Sequence, residues 1–243
     1  MAYILIIGAK SDIAKACANV YARNGYDLIL AGRNISSLNN FAKDIQIRTS
    51  QDVQLKEFDI VDFSSHQTFY SELSEEPLGV IVVAGYMVEQ EITQNDWETT
   101  LNTINVNYTG AISILNLVAN KFEKKQEGFI IGVSSVAGDR GRKTNYTYGS
   151  AKAGFTTYLS GLRNRLFNSN VHVLTVKPGF VNTKMTEHLD LPEKLTAEPE
   201  TVAEDIFAAQ KTQKNILYTK WIWKYIMLII KLIPEFIFKK LSI

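Results

Sequence analysis

Short apolar runs closed by glycine or aspartate recur along the chain, separated by stretches whose apolar positions repeat with helical spacing. Residues 3–7, Tyr-Ile-Leu-Ile-Ile, contain no charged position and end at Gly8, the pattern of a strand buried on both faces of a parallel sheet. Residues 12–21 put Ile13, Ala14, Cys17 and Val20 on one side and stop before Gly25, which predicts a helix. The alternation continues with strands at 27–32, 53–58, 78–85, 128–134, 170–176 and 215–218, and with helices at 35–48, 95–122, 146–167 and 201–210. An irregular stretch occupies 180–199. Strands alternating with helices imply crossover units, so the pattern predicts an α/β fold, a single-domain doubly wound parallel sheet of about seven strands over residues 1–219.

A different pattern begins at Trp221. Lys224 and Lys231 are seven residues apart and share a helical face, while Trp221, Ile222, Tyr225, Ile229 and Leu232 lie away from them. Two lysines and Pro234 interrupt the run before it reaches the ~20 apolar residues of a membrane span. Residues 220–243 therefore read as an amphipathic helical extension. It either lies in a membrane headgroup region or packs on its own domain or a partner subunit.

Composition narrows the function. With 243 residues, 46% of them hydrophobic, the chain has enough material for one large core. The 26 basic and 25 acidic side chains leave a net charge of +1, against the basic stripe of a nucleic-acid binder, so no nucleic-acid partner is expected. His66, His172 and His188 are scattered without ligand spacing, and no metal site is expected. The single cysteine, Cys17, sits among alanines as a packed small hydrophobe. The first residues lack a basic region and run directly into Gly8, which reads as a strand and not a signal peptide. The expected location is cytoplasmic, or peripheral on the inner face of a membrane if the tail binds lipid.

The chemistry gathers at Asn145-Tyr-Thr-Tyr148-Gly-Ser-Ala-Lys152, where a phenol precedes an ammonium by one helical turn. A cation beside a phenol favours the phenolate and draws the hydroxyl toward a useful acid–base range. Ser135 stands thirteen residues earlier at the end of an expected strand, Asn107 forty-one residues earlier, and Gly8-Ala-Lys-Ser-Asp-Ile-Ala14 follows the first strand as a phosphate-binding turn would. In this order and spacing the chain resembles the short-chain dehydrogenase/reductase family. The resemblance runs from Tyr3 to about Tyr218 and implies a Rossmann-like fold and a catalytic tetrad of Asn107, Ser135, Tyr148 and Lys152. It further implies reversible hydride transfer between a nicotinamide coenzyme and a carbonyl, with Tyr148 as general acid, Ser135 orienting the oxygen, and Asn107 supporting a water. Lys152 would lower the phenol pKa and hold the nicotinamide ribose.

Coenzyme contacts follow the same likeness. Gly8, Lys10, Ser11, Asp12 and Ile13 form the phosphate turn, with Asp12 read as a helix N-cap where the family carries glycine. Asp59 and Ile60 would flank the adenine, Ala84 and Gly85 the coenzyme floor, and Pro178, Gly179, Val181 and Thr183 the nicotinamide amide. Most relatives carry two asparagines where this chain has Val82-Val83 before Ala84-Gly85. Arg33, at the end of the second strand, with Lys10 beside the first turn, suits the 2′-phosphate of NADP(H) over the bare ribose of NAD(H). The loop between Ser135 and Tyr148 adds Arg140, Arg142 and Lys143. These either hold an anionic group of the substrate or form a solvated turn in which Asp139 pairs one arginine. With the tail, they resemble the branch of the family that reduces a keto-pentose carried on polyprenyl phosphate. A soluble ketone as substrate, or a non-catalytic NADP-binding sensor, remain the alternatives. Family members pair through helices equivalent to 95–122 and 146–167, and Ile104, Ala111, Ile112, Leu115 and Val118 offer apolar surface there, so a homodimer or homotetramer is expected.

Overall fold

The computed structural model describes residues 2–241. Among these residues nine strands appear in chain order: β1 (Tyr3–Ile7), β2 (Asp27–Gly32), β3 (Val53–Glu57), β4 (Pro77–Val82), β5 (Gly128–Val133), β6 (Val171–Pro178), β7 (Phe180–Val181), β8 (Thr196–Ala197) and β9 (Ile216–Thr219). Seven of them form one parallel sheet in the order β3-β2-β1-β4-β5-β6-β9, and β7 pairs with β8 beside it. The chain winds outward from β1 in both directions, so the sheet reverses between β1 and β4, where such folds open a crevice at the carboxyl ends of their strands.

The all-apolar β1 is explained by its two burdens. Ile4 and Ile6 enter the core on one face, while Leu5 and Ile7 enter the core on the other. The first face is covered by α1 (Asp12–Arg23), α2 (Asn39–Thr49) and α8 (Pro199–Lys211). The second is covered chiefly by α6 (Gly110–Lys125) and α7 (Tyr146–Leu166). Cys17 is wholly buried in the first core, and burial pushes its thiol up to about 12, as befits a packing residue.

Three shorter helices, α3 (His66–Ser71), α4 (Gln90–Asn95) and α5 (Trp97–Ile104), complete the central region. The expected continuous helix over 95–122 is broken. Asp96 adopts an extended backbone, and its carboxylate accepts from the amides of Glu98 and Thr99, so it starts α5 afresh. A π turn at Asn105–Thr109 then separates α5 from α6. Ala111, Leu115 and Val118 are spent inside the chain's own core, so the surplus apolar surface expected there for subunit pairing is absent at these three positions.

The tail folds as α9 (Ile222–Leu232) and α10 (Glu235–Phe238), separated by Pro234. Trp223 and Met227 are buried against Val136, with Phe180, Leu195 and Tyr218 packed around them. Trp223 Nε1 donates to the Leu195 carbonyl at 3.0 Å. A Cβ on Gly179 would lie 1.9 Å from that nitrogen, so the indole seat requires glycine. Arg140 fastens the far end: Nη1 donates to the carbonyls of Ile230 and Ile233, each at 2.6 Å, and Nη2 meets Glu235 at 2.9 Å. Its guanidinium also lies 3.7 Å from the Phe238 ring centroid. Packing on the chain's own domain thus accounts for one face of α9. Trp221, Ile222, Tyr225, Ile229 and Leu232, on the other, are exposed. Ser242 and Ile243 of the expected extension lie outside the described residues, among which no helix is long and apolar enough to cross a membrane.

Candidate active site at the carboxyl ends of the strands

The turn after β1 is fixed by one glycine. Gly8 has φ +84°, and a Cβ there would lie 2.7 Å from the Ala84 amide nitrogen, so the turn presses against the end of β4 as only glycine can. Ser11, and not Asp12, caps α1, accepting from the Ala14 amide at 3.2 Å. Asp12 is the first residue of the helix and accepts from the Lys184 amide at 2.9 Å, which ties the segment after β7 to the turn. The expected N-cap therefore moves by one residue, and the acid is explained as a strap.

Helix α7 is locked to the end of β5 by backbone contact and by a hydroxyl. A Cβ on Gly149 would lie 2.8 Å from the Ala137 carbonyl oxygen, so the helix and the turn after β5 meet closely. Ser134 Oγ donates to the Lys152 carbonyl at 2.9 Å and contacts Thr156 Oγ1 at 2.7 Å. Ser135, next in sequence, accepts from the Ala137 amide at 3.1 Å through Oγ, which leaves its own proton free to donate. Its hydroxyl faces Tyr148 and opposes the upward shift of that phenol.

Lys152 is almost fully buried, and among the described residues it has no carboxylate partner. Its Nζ donates to the Val133 carbonyl at 3.1 Å and the Ala84 carbonyl at 3.4 Å, oxygens at the ends of β5 and β4. Burial lowers its pKa from 10.5 to about 8. Tyr148 is half-buried, and burial pushes the phenol up to about 12. The expectation that Lys152 lowers the phenol pKa is not met among the protein groups. Nζ lies 5.8 Å from the Tyr148 ring centroid, and the strand-end carbonyls hold it instead.

Asn107 sits in the π turn, buried behind the cleft and outside its lining. Nδ2 donates to the carbonyls of Tyr86 at 2.6 Å and Thr103 at 2.8 Å, while Oδ1 accepts from the Tyr86 amide at 3.3 Å. Both N–H donors are occupied, so the side chain fixes the segment after Gly85 and has no donor left for water.

The Gly8 turn, Ser135, Tyr148 and Lys152 line a cleft of about 660 Å³, within the size range of cofactor sites. Gly8, Lys10, Ser11, Asp12, Ile13 and Arg33 line one end. Ile60, Ala84 and Gly85 line its floor, and Ser135, Tyr148 and Lys152 stand along it with Pro178, Gly179, Val181 and Thr183. Asp59 is not in the wall; its carboxylate accepts from the Val61 amide. Also in the lining are Asn145, Met185, Leu189 and Trp223, which sequence reasoning did not place there. For Trp223 a signal existed, since α9 had to bury some face, but nothing in the sequence says against what. The narrow turn at Gly8, the α1 amides behind Ser11 and the cations Lys10 and Arg33 fit a nicotinamide dinucleotide.

A doubly wound parallel sheet with this constellation at its carboxyl edge defines an oxidoreductase of the dinucleotide-binding type. The short chain dehydrogenase family model matches residues 2–194, and the chain belongs to that family. An uncharacterized oxidoreductase of Mycobacterium tuberculosis is 31% identical over 241 residues, covering 98% of this chain and 96% of the relative. Another from Staphylococcus epidermidis is 28% identical, covering 84% and 89%. Among solved structures, a short-chain dehydrogenase from Sphingobium yanoikuyae in complex with NADPH superposes with a TM-score of 0.83 at 22% identity, covering 91% of this chain and 89% of that one. A 7beta-hydroxysteroid dehydrogenase does so with 0.87 at 19%, covering 99% and 96%. At these identities the superpositions bear on the fold.

The buried ammonium has a thermodynamic signature. Its pKa is depressed on folding, so between about pH 8 and 10 the unfolded chain binds the extra proton and stability rises with pH. Tyr148 acts in the opposite sense only above pH 10, where its unfolded phenol begins to ionise. Lys152→Met should therefore be more stable than wild type at pH 7, by up to about 3 kcal/mol. In urea titrations the gain should shrink steadily from pH 8 to 10. A gain that did not change with pH would show that the ammonium bears no burial penalty.

Proposed function

We propose that this oxidoreductase is an NADP(H)-dependent reductase that converts a ketone to an alcohol at Tyr148, and that its substrate is a keto-sugar carried on a lipid phosphate. One observation carries the reading: a phenol kept protonated by burial stands beside a serine hydroxyl and one turn from a buried ammonium, all on one wall of the cleft. At neutral pH such a phenol is a proton donor, which suits reduction.

A nicotinamide coenzyme held in the cleft would supply a hydride for the carbonyl carbon. The chain supplies the remaining chemistry. Ser135, with its oxygen already accepting from Ala137, turns its hydroxyl proton to the carbonyl oxygen and sets its position. Tyr148 passes its proton to that oxygen as negative charge develops there, leaving a phenolate to be reprotonated from solvent. Lys152 stays on the carbonyls of Val133 and Ala84, close to where the nicotinamide ribose would lie. Asn107 is a positioning residue that holds the Tyr86 backbone next to Gly85.

The preference for NADP(H) is supported by charge at the opposite end of the cleft. Arg33 and Lys10 are exposed there. The nearby acid, Glu57 at the end of β3, is committed to the backbone amides of Asn34 at 2.6 Å and Ile35 at 3.0 Å. An acid so occupied is poorly placed to accept from a ribose hydroxyl. The lipid reading is supported by α9, whose exposed aromatic and aliphatic face is bordered by Lys224 and Lys231, and whose Trp223 reaches into the cleft wall.

Tyr148→Phe keeps the ring and removes the proton, so kcat should fall roughly 10²–10⁴-fold while NADPH binding persists. Stopped assays with NADPH and NADH should show at least a tenfold preference for NADPH that Arg33→Ala abolishes. Retained turnover in the first variant would sink the catalytic assignment, and equal use of the coenzymes in wild type the second. The full chain should co-sediment with anionic liposomes, whereas a chain ending at Thr219 should not; identical behaviour would refute membrane association.

A further inference from the structure

The three cations between Ser135 and Tyr148 have three different fates. Arg140 is consumed by the tail, donating to the carbonyls of Ile230 and Ile233 and pairing with Glu235. Lys143 points to solvent. Arg142 lines the cleft with Ser135, Asn145 and Tyr148. Among the described residues its guanidinium has no hydrogen bond or ion pair, and its Nε is sealed from solvent without a partner.

Among the described residues no carboxylate pairs with it. Asp139, the only carboxylate of the loop, pairs with Lys177 and accepts from the Tyr218 hydroxyl at 2.7 Å. This overturns the solvated-turn alternative, in which Asp139 would have paired an arginine. A guanidinium remains protonated even when burial lowers its pKa, as it does here. A second orphan lies nearby: Asn145 Oδ1 is buried with no donor, three residues along the same loop and also in the cleft wall. One unmatched cationic fork and one unmatched acceptor call for a ligand that brings both an anion and a hydroxyl.

We propose that Arg142 and Asn145 form a substrate subsite for a phosphorylated sugar, Arg142 taking a phosphate oxygen and Asn145 a sugar hydroxyl. The inference rests on the reading that Tyr148 reduces a carbonyl in the same cleft, and it narrows that substrate by chemistry. Coenzyme phosphate does not satisfy the same pair. In the sheet order β5 stands two strands from β1 and three from β2, so the loop after β5 begins roughly 10–14 Å across from the Gly8 turn and Arg33. Arginine suits the role because its planar fork meets two phosphate oxygens at once, in a partly desolvated wall where such bonds are strong. A terminal monoester and a diester to a lipid present the same non-bridging oxygens, and either meets the fork.

Calorimetry on the full chain saturated with NADP⁺ tests the subsite with three probes: xylulose, xylulose 5-phosphate, and a pentulose joined to farnesyl phosphate. Wild type should bind at least one phosphorylated probe tenfold or more tightly than xylulose. Arg142→Gln should erase that advantage, Arg142→Lys should keep part of it, and NADPH affinity should not change in either. A preference for the farnesyl diester over the monoester assigns the lipid source, and the reverse assigns a free sugar phosphate. The proposal is overturned if neither phosphorylated probe outbinds xylulose, or if folded Arg142→Gln weakens all three equally. Failure of the reductase reading looks different: tight, Arg142-dependent binding of a phosphorylated probe with no NADPH oxidation, and unchanged binding in Tyr148→Phe.

Discussion

A lysine buried without a carboxylate has to be held by neutral oxygens, and the site is built around the place where the sheet provides them. Val133 and Ala84 offer carbonyls at the carboxyl ends of β5 and β4, and Nζ of Lys152 sits between them. Holding it there requires α7 to press on the turn after β5. Hence the bare Cα of Gly149 at the Ala137 carbonyl, and the Ser134 hydroxyl on the Lys152 backbone. Once α7 is placed, Tyr148 follows one turn before the lysine, facing Ser135. The burial that costs Lys152 its usual basicity also keeps Tyr148 protonated, so one packing decision sets both groups.

The tail extends the same wall. Trp223 takes the space that a side chain at 179 would fill, and that glycine follows Pro178 in the wall of the cleft. Arg140 closes the carboxyl end of α9 from within the loop that also carries Arg142 and Asn145. A buried cluster of Asp139, Lys177 and Tyr218 anchors the root of that loop. The segment between the serine and the tyrosine is thus held at both ends and by the tail, which leaves Arg142 in the cleft wall.

Much of this was legible in the chain. Apolar runs located the inner strands of the main sheet, because a strand buried on both faces has few polar positions to blur the signal, whereas the edge strand β3 carries Gln54, Lys56 and Glu57 and stood out less by composition than by its place in the alternation. Tyr148 and Lys152 shared a face because four residues is one helical turn. Spacing did not reveal what depends on partners distant in sequence. Asp96 looked like an ordinary helical residue until its extended backbone made it a cap, and the π turn around Asn107 leaves no periodic trace. The electrostatics were misjudged for the same reason: adjacency on a helix suggested that Lys152 acts on the phenol, whereas carbonyls from two other strands hold the ammonium. The apparent excess of apolar residues at Ala111, Leu115 and Val118 was the chain's own core. The loop cations could be counted but not sorted, since the acid that occupies Arg140 comes from residue 235 and the loop's own acid, Asp139, is taken by Lys177.

A cleft that moves a hydride onto a carbonyl, and does not merely bind a coenzyme, leaves its mark on the product. The direct measurement uses NADPH deuterated at C4, in each face separately, with a panel of keto-sugars and simple ketones, and mass spectrometry of the products. Transfer of one deuterium, from a single face, to the carbinol carbon of at least one product is the result expected. Tight binding of the coenzyme with no deuterium in any product would contradict it and leave the scaffold as a binder of the coenzyme without chemistry.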